Sequence, residues 1–164
     1  MPKLTGPTQE WLDLVVEEIV DPERPIIDPH HHLWTATDGR RLGFGDYLLK
    51  QLWDDTGSGH NIVKTVFLEC RAGYLKDGPE HFRPVGETEF VAALALQSAT
   101  VGESRAEIAA IVSHADLTLG AEVAEVLAAH EEAGKGLFRG IRHSGASEPH
   151  PEALSIRPRH SHAP

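Results

Sequence analysis

The chain has a single cysteine, Cys70, in 164 residues, so no internal disulfide can staple it. No apolar run approaches the roughly 18 residues that a membrane-crossing helix needs. The opening Met1-Pro2-Lys3-Leu4-Thr5-Gly6-Pro7 has no apolar core of signal-peptide length. A reducing, cytoplasmic setting is the expectation. Basic charge is also short: 15 Lys and Arg face 25 Asp and Glu, a formal net charge of −10. A nucleic-acid partner would favour a basic face, so neither nucleic acid nor membrane is expected as a partner.

Histidine is plentiful by contrast. There are 11, and they cluster. Imidazole is the commonest metal ligand and the side chain that titrates nearest neutrality, so a cluster raises the expectation of a site.

Apolar periodicity divides the chain into alternating elements. Thr8 to Val20 reads as a helix, with Thr8 as its cap, Glu10 and Asp13 at its positive end, and an apolar stripe of Trp11, Leu12, Val15, Val16 and Ile19. Pro25 to Asp28 reads as a short buried strand. A helix over Asp46 to Asp55 is closed by Gly57, and a second strand covers Lys64 to Glu69. A helix from Glu87 to Ser98 precedes a third strand, Glu107 to Ser113. The Ala- and Glu-rich helix Ala121 to Ala133, closed by Gly134, precedes a fourth, Leu137 to Ile141.

Apolar strands alternating with amphipathic helices imply an α/β fold with a parallel sheet. Strand centres near residues 27, 66, 110 and 139 suit either a (β/α) barrel or a doubly wound sheet. A full eight-stranded barrel takes about 250 residues, leaving room here for about four βα units. Residues 1–22 are read as a helical extension, 23–145 as the α/β unit and 146–164 as a disordered tail. Ser144 to Pro164 holds four of the 11 prolines and too few apolar residues to offset ordering entropy.

The sharpest local feature is Asp28-Pro29-His30-His31-His32-Leu33-Trp34. Side chains alternate along an extended segment, so His30 and His32 can share one site while His31 points elsewhere. Two converging imidazoles can hold a divalent metal, zinc being one candidate. Three consecutive histidines arise by chance in roughly one such sequence in twenty, so position after a buried strand carries more weight than the triplet. The other strand ends also bear polar groups: Glu69 and Arg71, His114 and Asp116, Arg142 and His143. Parallel α/β folds build their sites at these ends. A helix-capping role for Asp116 is as good a reading as a site role. His60 reads as a helix-to-strand connection, His81 and His130 as solvated, and Cys70 as packing without an activating base.

Taken together these residues resemble a family. Ile26-Ile27-Asp28-Pro29-His30-His31-His32-Leu33-Trp34 is similar to the first-strand signature of the amidohydrolase superfamily, in its amidohydrolase-related branch of TIM-barrel metal-dependent hydrolases and lactonases. The segments 65–71, 84–90, 111–117 and 138–143 are similar to the same branch, so the resemblance covers about residues 20 to 145. It implies half of a (β/α)8 barrel from a hydrolase that attacks ester, lactone or amide carbonyls of small carboxylate-bearing molecules. His30 and His32 match the family's metal-ligand pair, with Asp28 supporting the strand end. Substrate binding is expected at Arg71, His114, Arg142 and His143, with Arg142 or Arg71 holding a carboxylate. The family's later-strand His and general-base Asp have no counterpart in the sequence, so no catalytic residue is assigned and the isolated chain is expected to be inactive, as a truncated or frame-shifted product would be. The alternative is a non-catalytic half-barrel that forms a homodimer through its exposed edges and binds a metal or small anion.

Overall fold

The computed structural model describes residues 8–39, 45–102 and 105–145. Its elements run α1 (Gln9–Leu12), β1 (Ile26–His31), α2 (Ala36–Gly39), α3 (Leu49–Thr56), β2 (Ile62–Leu68), α4 (Val85–Ala99), β3 (Glu107–Ser113), α5 (Val123–Ala133) and β4 (Phe138–Ile141). Short 3-10 turns at Glu80–Phe82 and Leu117–Glu122 lead into α4 and α5. The four strands form one sheet in the order β1-β2-β3-β4, every neighbouring pair parallel.

The described strands follow one another in sequence order across the sheet, without a reversal. Right-handed crossovers between successive adjacent strands keep every helix on one face. A doubly wound sheet needs a reversal of strand order to cover both faces, and the described strands contain none. The packing agrees: Phe67, Ile108 and Ile111 are fully buried in one cluster with Leu49 and Leu52 of α3 and Val91, Ala92 and Ala95 of α4. α5 joins the same layer through Val126 and His130. By alternation Val66, Leu68, Ala110 and Val112 occupy the other face, where they are only half-buried. The sheet is open, not closed into a barrel.

Local chemistry explains the element ends. The Gln51 side chain accepts from the backbone N–H of Leu48 at 3.0 Å, opening α3. Gly57 ends it, its N–H donating to the carbonyl of Trp53 at 3.0 Å. α4 approaches the loop before it so closely that a Cβ on Gly86 would lie 2.6 Å from the carbonyl oxygen of Gly73. Its last turn is tied to β3 by Ser98, whose Oγ accepts from the N–H of Ile108 at 3.1 Å.

Three sequence expectations fail. The helix expected over Thr8 to Val20 shrinks to Gln9–Leu12, and Trp11, Leu14, Val15, Val16 and Val20 are all exposed. An amphipathic helix is held by what its apolar stripe packs against. Of that stripe, Ile19 meets a partner, reaching the backbone of Gly59. His130, expected in solvent, is fully buried, and His81 is half-buried beside the ring of Phe82. The 146–164 tail lies outside the described residues.

Candidate functional site

β1 runs further than its apolar pair suggests and takes His30 and His31 into the strand. The alternation then acts as expected. His31 turns to the helix face, its ring 5.8 Å from that of Phe67, and is 6% exposed. Burial drives its pKa down to about 4, so it is neutral. His30 and His32 meet each other instead, with their Nε2 atoms 3.1 Å apart and their rings edge to face.

The tautomer of His32 follows from its second nitrogen. Nδ1 stands 2.9 Å from the carbonyl oxygen of Leu68, which can only accept, so Nδ1 carries the proton and Nε2 presents a lone pair. A histidine whose far nitrogen donates to a backbone carbonyl is oriented as metal-ligating histidines are. Two nitrogens each 2.0 to 2.1 Å from a tetrahedral zinc would lie roughly 3.3 Å apart, close to the spacing here. Asp28 supports the strand end by accepting from the N–H of His30 at 3.1 Å. The spacing alone matches two ligands of one ion; as they stand, the two nitrogens share a hydrogen bond, in which His30 Nε2–H donates to the lone pair on His32 Nε2. Among the described residues no group of three or more His, Cys, Asp or Glu side chains is set to hold one.

The remaining strand ends form a linked array beside this pair. Glu69, just past β2, pairs with Arg142, just past β4: Nε and Nη2 of the guanidinium each lie 2.9 Å from Oε1, and Nη2 donates to the Glu69 carbonyl at 2.7 Å. His114, past β3, donates from Nδ1 to the Arg142 carbonyl at 3.0 Å. The rings of His114 and His143 lie 5.4 Å apart, nearly perpendicular. His143 Nδ1 accepts from the N–H of Leu117 at 3.0 Å, which leaves its proton on Nε2 in the neutral form. Burial lowers the pKa of His32 first; Arg142 lowers it further and Glu69 opposes. Arg142 is thus engaged by Glu69, whereas Arg71 is exposed on the loop after β2 in a left-handed backbone conformation, φ 69°. Asp116 caps the turn that follows, accepting from the N–H of Thr118 at 2.9 Å.

A cleft of about 350 Å³ opens along β1, lined by Asp28, His30, His31, His32, Tyr47 and Asp55 among others. The larger groove, about 750 Å³, runs between α4 and α5 past Leu96, Glu107 and Ala133. Glu107 begins β3, so that groove lies toward the opposite end of the strands and is not part of the array.

Glu87 was not among the expected site residues. It is 1% exposed at the start of α4, and its Oε1 accepts from the backbone N–H of Cys70 at 3.0 Å and of Ala72 at 2.7 Å. Oε2 has no hydrogen-bond partner among the described residues. Burial raises its pKa to about 7 against the pull of those two donors. The carboxyl therefore clamps the loop that carries Glu69 and Arg71. Cys70 is inert, its thiol pushed up to about 12 by burial and by Glu87. A glutamate two residues into a helix resembles any N-terminal acid in sequence, so nothing marked it as buried.

No protein-family profile, curated protein or solved structure matches the chain. No helix among the described residues is long and apolar enough to cross a membrane.

Proposed function

We propose that the chain carries the metal-binding end of a hydrolase site of the amidohydrolase-related kind, on part of a (β/α) barrel, for ester, lactone or amide carbonyls of small carboxylate-bearing molecules. The observation that supports this best is the 3.1 Å approach of His30 Nε2 and His32 Nε2 at a parallel strand's C-terminal end. The one-sided helix layer and unreversed strand order also suit a barrel segment.

A bound divalent ion would polarise a carbonyl and lower the pKa of water. His30 and His32 would hold it, with Leu68 fixing the tautomer of His32. Arg71, exposed on the loop after β2, would bind a substrate carboxylate. The Nε2–H of neutral His143 is available to donate to a substrate oxygen, while His114 spends its Nδ1–H on Arg142. The Glu69–Arg142 pair would brace β2 against β4 and leave little net charge beside the imidazoles.

Titration with cobalt(II) or zinc, followed by calorimetry and by the cobalt visible spectrum, tests the reading. One ion per site is expected, with binding weakened at least tenfold in His30→Ala and in His32→Ala. Equal binding by the parent and both variants would overturn the assignment.

A further inference from the structure

Both edges of the sheet, β1 and β4, lack a strand partner among the described residues. All four strands point the same way, α3, α4 and α5 lie on one face, and the other face carries Val66, Leu68, Ala110 and Val112 half-buried, with Ile27 of β1 59% exposed and, next to it in register, Lys64 paired with Glu107. An unpaired parallel edge with an apolar face beside it invites another parallel strand. Four such strands are half the number that a closed parallel barrel uses.

From this we infer that a second copy of the chain covers this face, β4 of each copy pairing with β1 of the other, so that two four-stranded sheets close on a twofold axis. The two edges differ in charge in the way such a seam requires. The β1 edge carries Asp28 and is preceded by Glu23, with Asp21 and Arg24 paired to each other, whereas the β4 edge carries Arg139 and is preceded by Lys135, with Arg142 already paired to Glu69. Like edges, β1 on β1 or β4 on β4, would run antiparallel about a twofold axis and set like charges together. The β4-to-β1 seam is parallel, continues the sheet, and sets acid against base. Pro29 removes one backbone donor from β1, a residue tolerated at an edge; the seam uses the remaining groups. Closure occurs at two copies because each contributes one edge of each kind, and it leaves no edge for a third. Each seam also brings the His30–His32 end of one copy beside the Arg142–His143 end of the other.

The test is the mass of the full chain in solution, by light scattering and sedimentation, without added metal. Twice the 17.9 kDa chain mass is expected. Glu23→Lys alone and Arg139→Glu alone put like charges in both seams and are expected to weaken the dimer at least tenfold. Mixing the two variants restores one original and one exchanged pair and should recover the dimer. Circular dichroism checks that both variants remain folded. A monomer of the parent chain, an open-ended ladder of larger species, or a dimer indifferent to both substitutions and to mixing would each overturn the inference. None of these outcomes depends on metal binding, so they are separate from the test of the hydrolase reading.

Discussion

His32 Nδ1 lies 2.9 Å from the carbonyl oxygen of Leu68, and the charge of Arg142 acts on the same imidazole. The carbonyl fixes which nitrogen is protonated, and the guanidinium holds the pKa down beyond what burial does alone. Removing that charge in Arg142→Gln leaves Glu69 unopposed, so the His32 pKa should rise. NMR titration of the ring carbons reads this directly. A pKa that stays or falls would show that Arg142 does not face His32.

Glu87 makes stability depend on pH with the sign opposite to that of an ordinary paired carboxylate. Its folded-state pKa, about 7, lies above the ordinary 4.5 because burial disfavours the charge. The folded state therefore binds the proton more tightly than the unfolded state between those values, and its contribution is present at low pH and lost as pH rises through 7. Glu87→Gln keeps an oxygen to accept from Cys70 and Ala72 and removes the charge. It should be more stable than the parent at pH 8, by on the order of 2 to 3 kcal/mol, and nearly equal at pH 4.5. Urea unfolding at the two pH values measures the difference; a uniform loss at both would mean that the second oxygen is needed for packing.

How far the site could be read from sequence depends on the range of the forces involved. The strands at 62–68, 107–113 and 138–141 come from β-branched and apolar runs that are legible locally. The pairing of His30 with His32 follows from strand alternation, which makes it legible in the sequence and sets His31 apart. Thr8 to Val20 failed because a stripe of Val and Ile reads as helix whatever it meets, and tertiary contact decides whether the helix forms. His130 failed for the converse reason, and Glu87 goes unmarked for the same one. Polar residues on helices are read as solvated unless something shows what packs over them; here the loop after β2 covers Glu87, and α4 and the β4 ring of Phe138 cover His130.

His130 completes a chain of hydrogen bonds whose directions are all determined. Nε2 is 2.9 Å from the carbonyl of His114, so Nε2 donates. Nδ1 must then accept from the Thr88 hydroxyl at 2.8 Å, and Thr88 in turn accepts from Ser113 at 2.6 Å. The three side chains are buried and join α5, α4 and β3. Thr88→Val preserves shape but strands Nδ1 of His130 and the Ser113 hydroxyl, a cost of about 2 to 3 kcal/mol. Ser113→Ala removes only the terminal donor, about 1 kcal/mol. Thermal unfolding should place the midpoints in that order, Thr88→Val lower. The reverse order would mean that Thr88 is not the member on which both neighbours depend.

Gly86 marks the point where α4 comes closest to the loop it clamps. A Cβ there would sit 2.6 Å from the carbonyl oxygen of Gly73 and 2.8 Å from the N–H nitrogen of Leu75, both backbone atoms that cannot swing aside. The N–H of Leu75 already donates to the carbonyl of Arg83 at 2.9 Å, so the loop and the start of α4 are fastened on both sides of the contact. Gly86→Ala would ordinarily favour a helix; here the clash opposes the gain, and a net loss of about 1 to 3 kcal/mol is expected. The same push would lift α4 from the loop and loosen the grip of Glu87 on Cys70 and Ala72. Amide hydrogen exchange at those two positions should therefore speed up in Gly86→Ala along with the fall in unfolding free energy. Protection of the two amides unchanged from the parent would mean that the clamp is independent of this contact and is held by Glu87 alone.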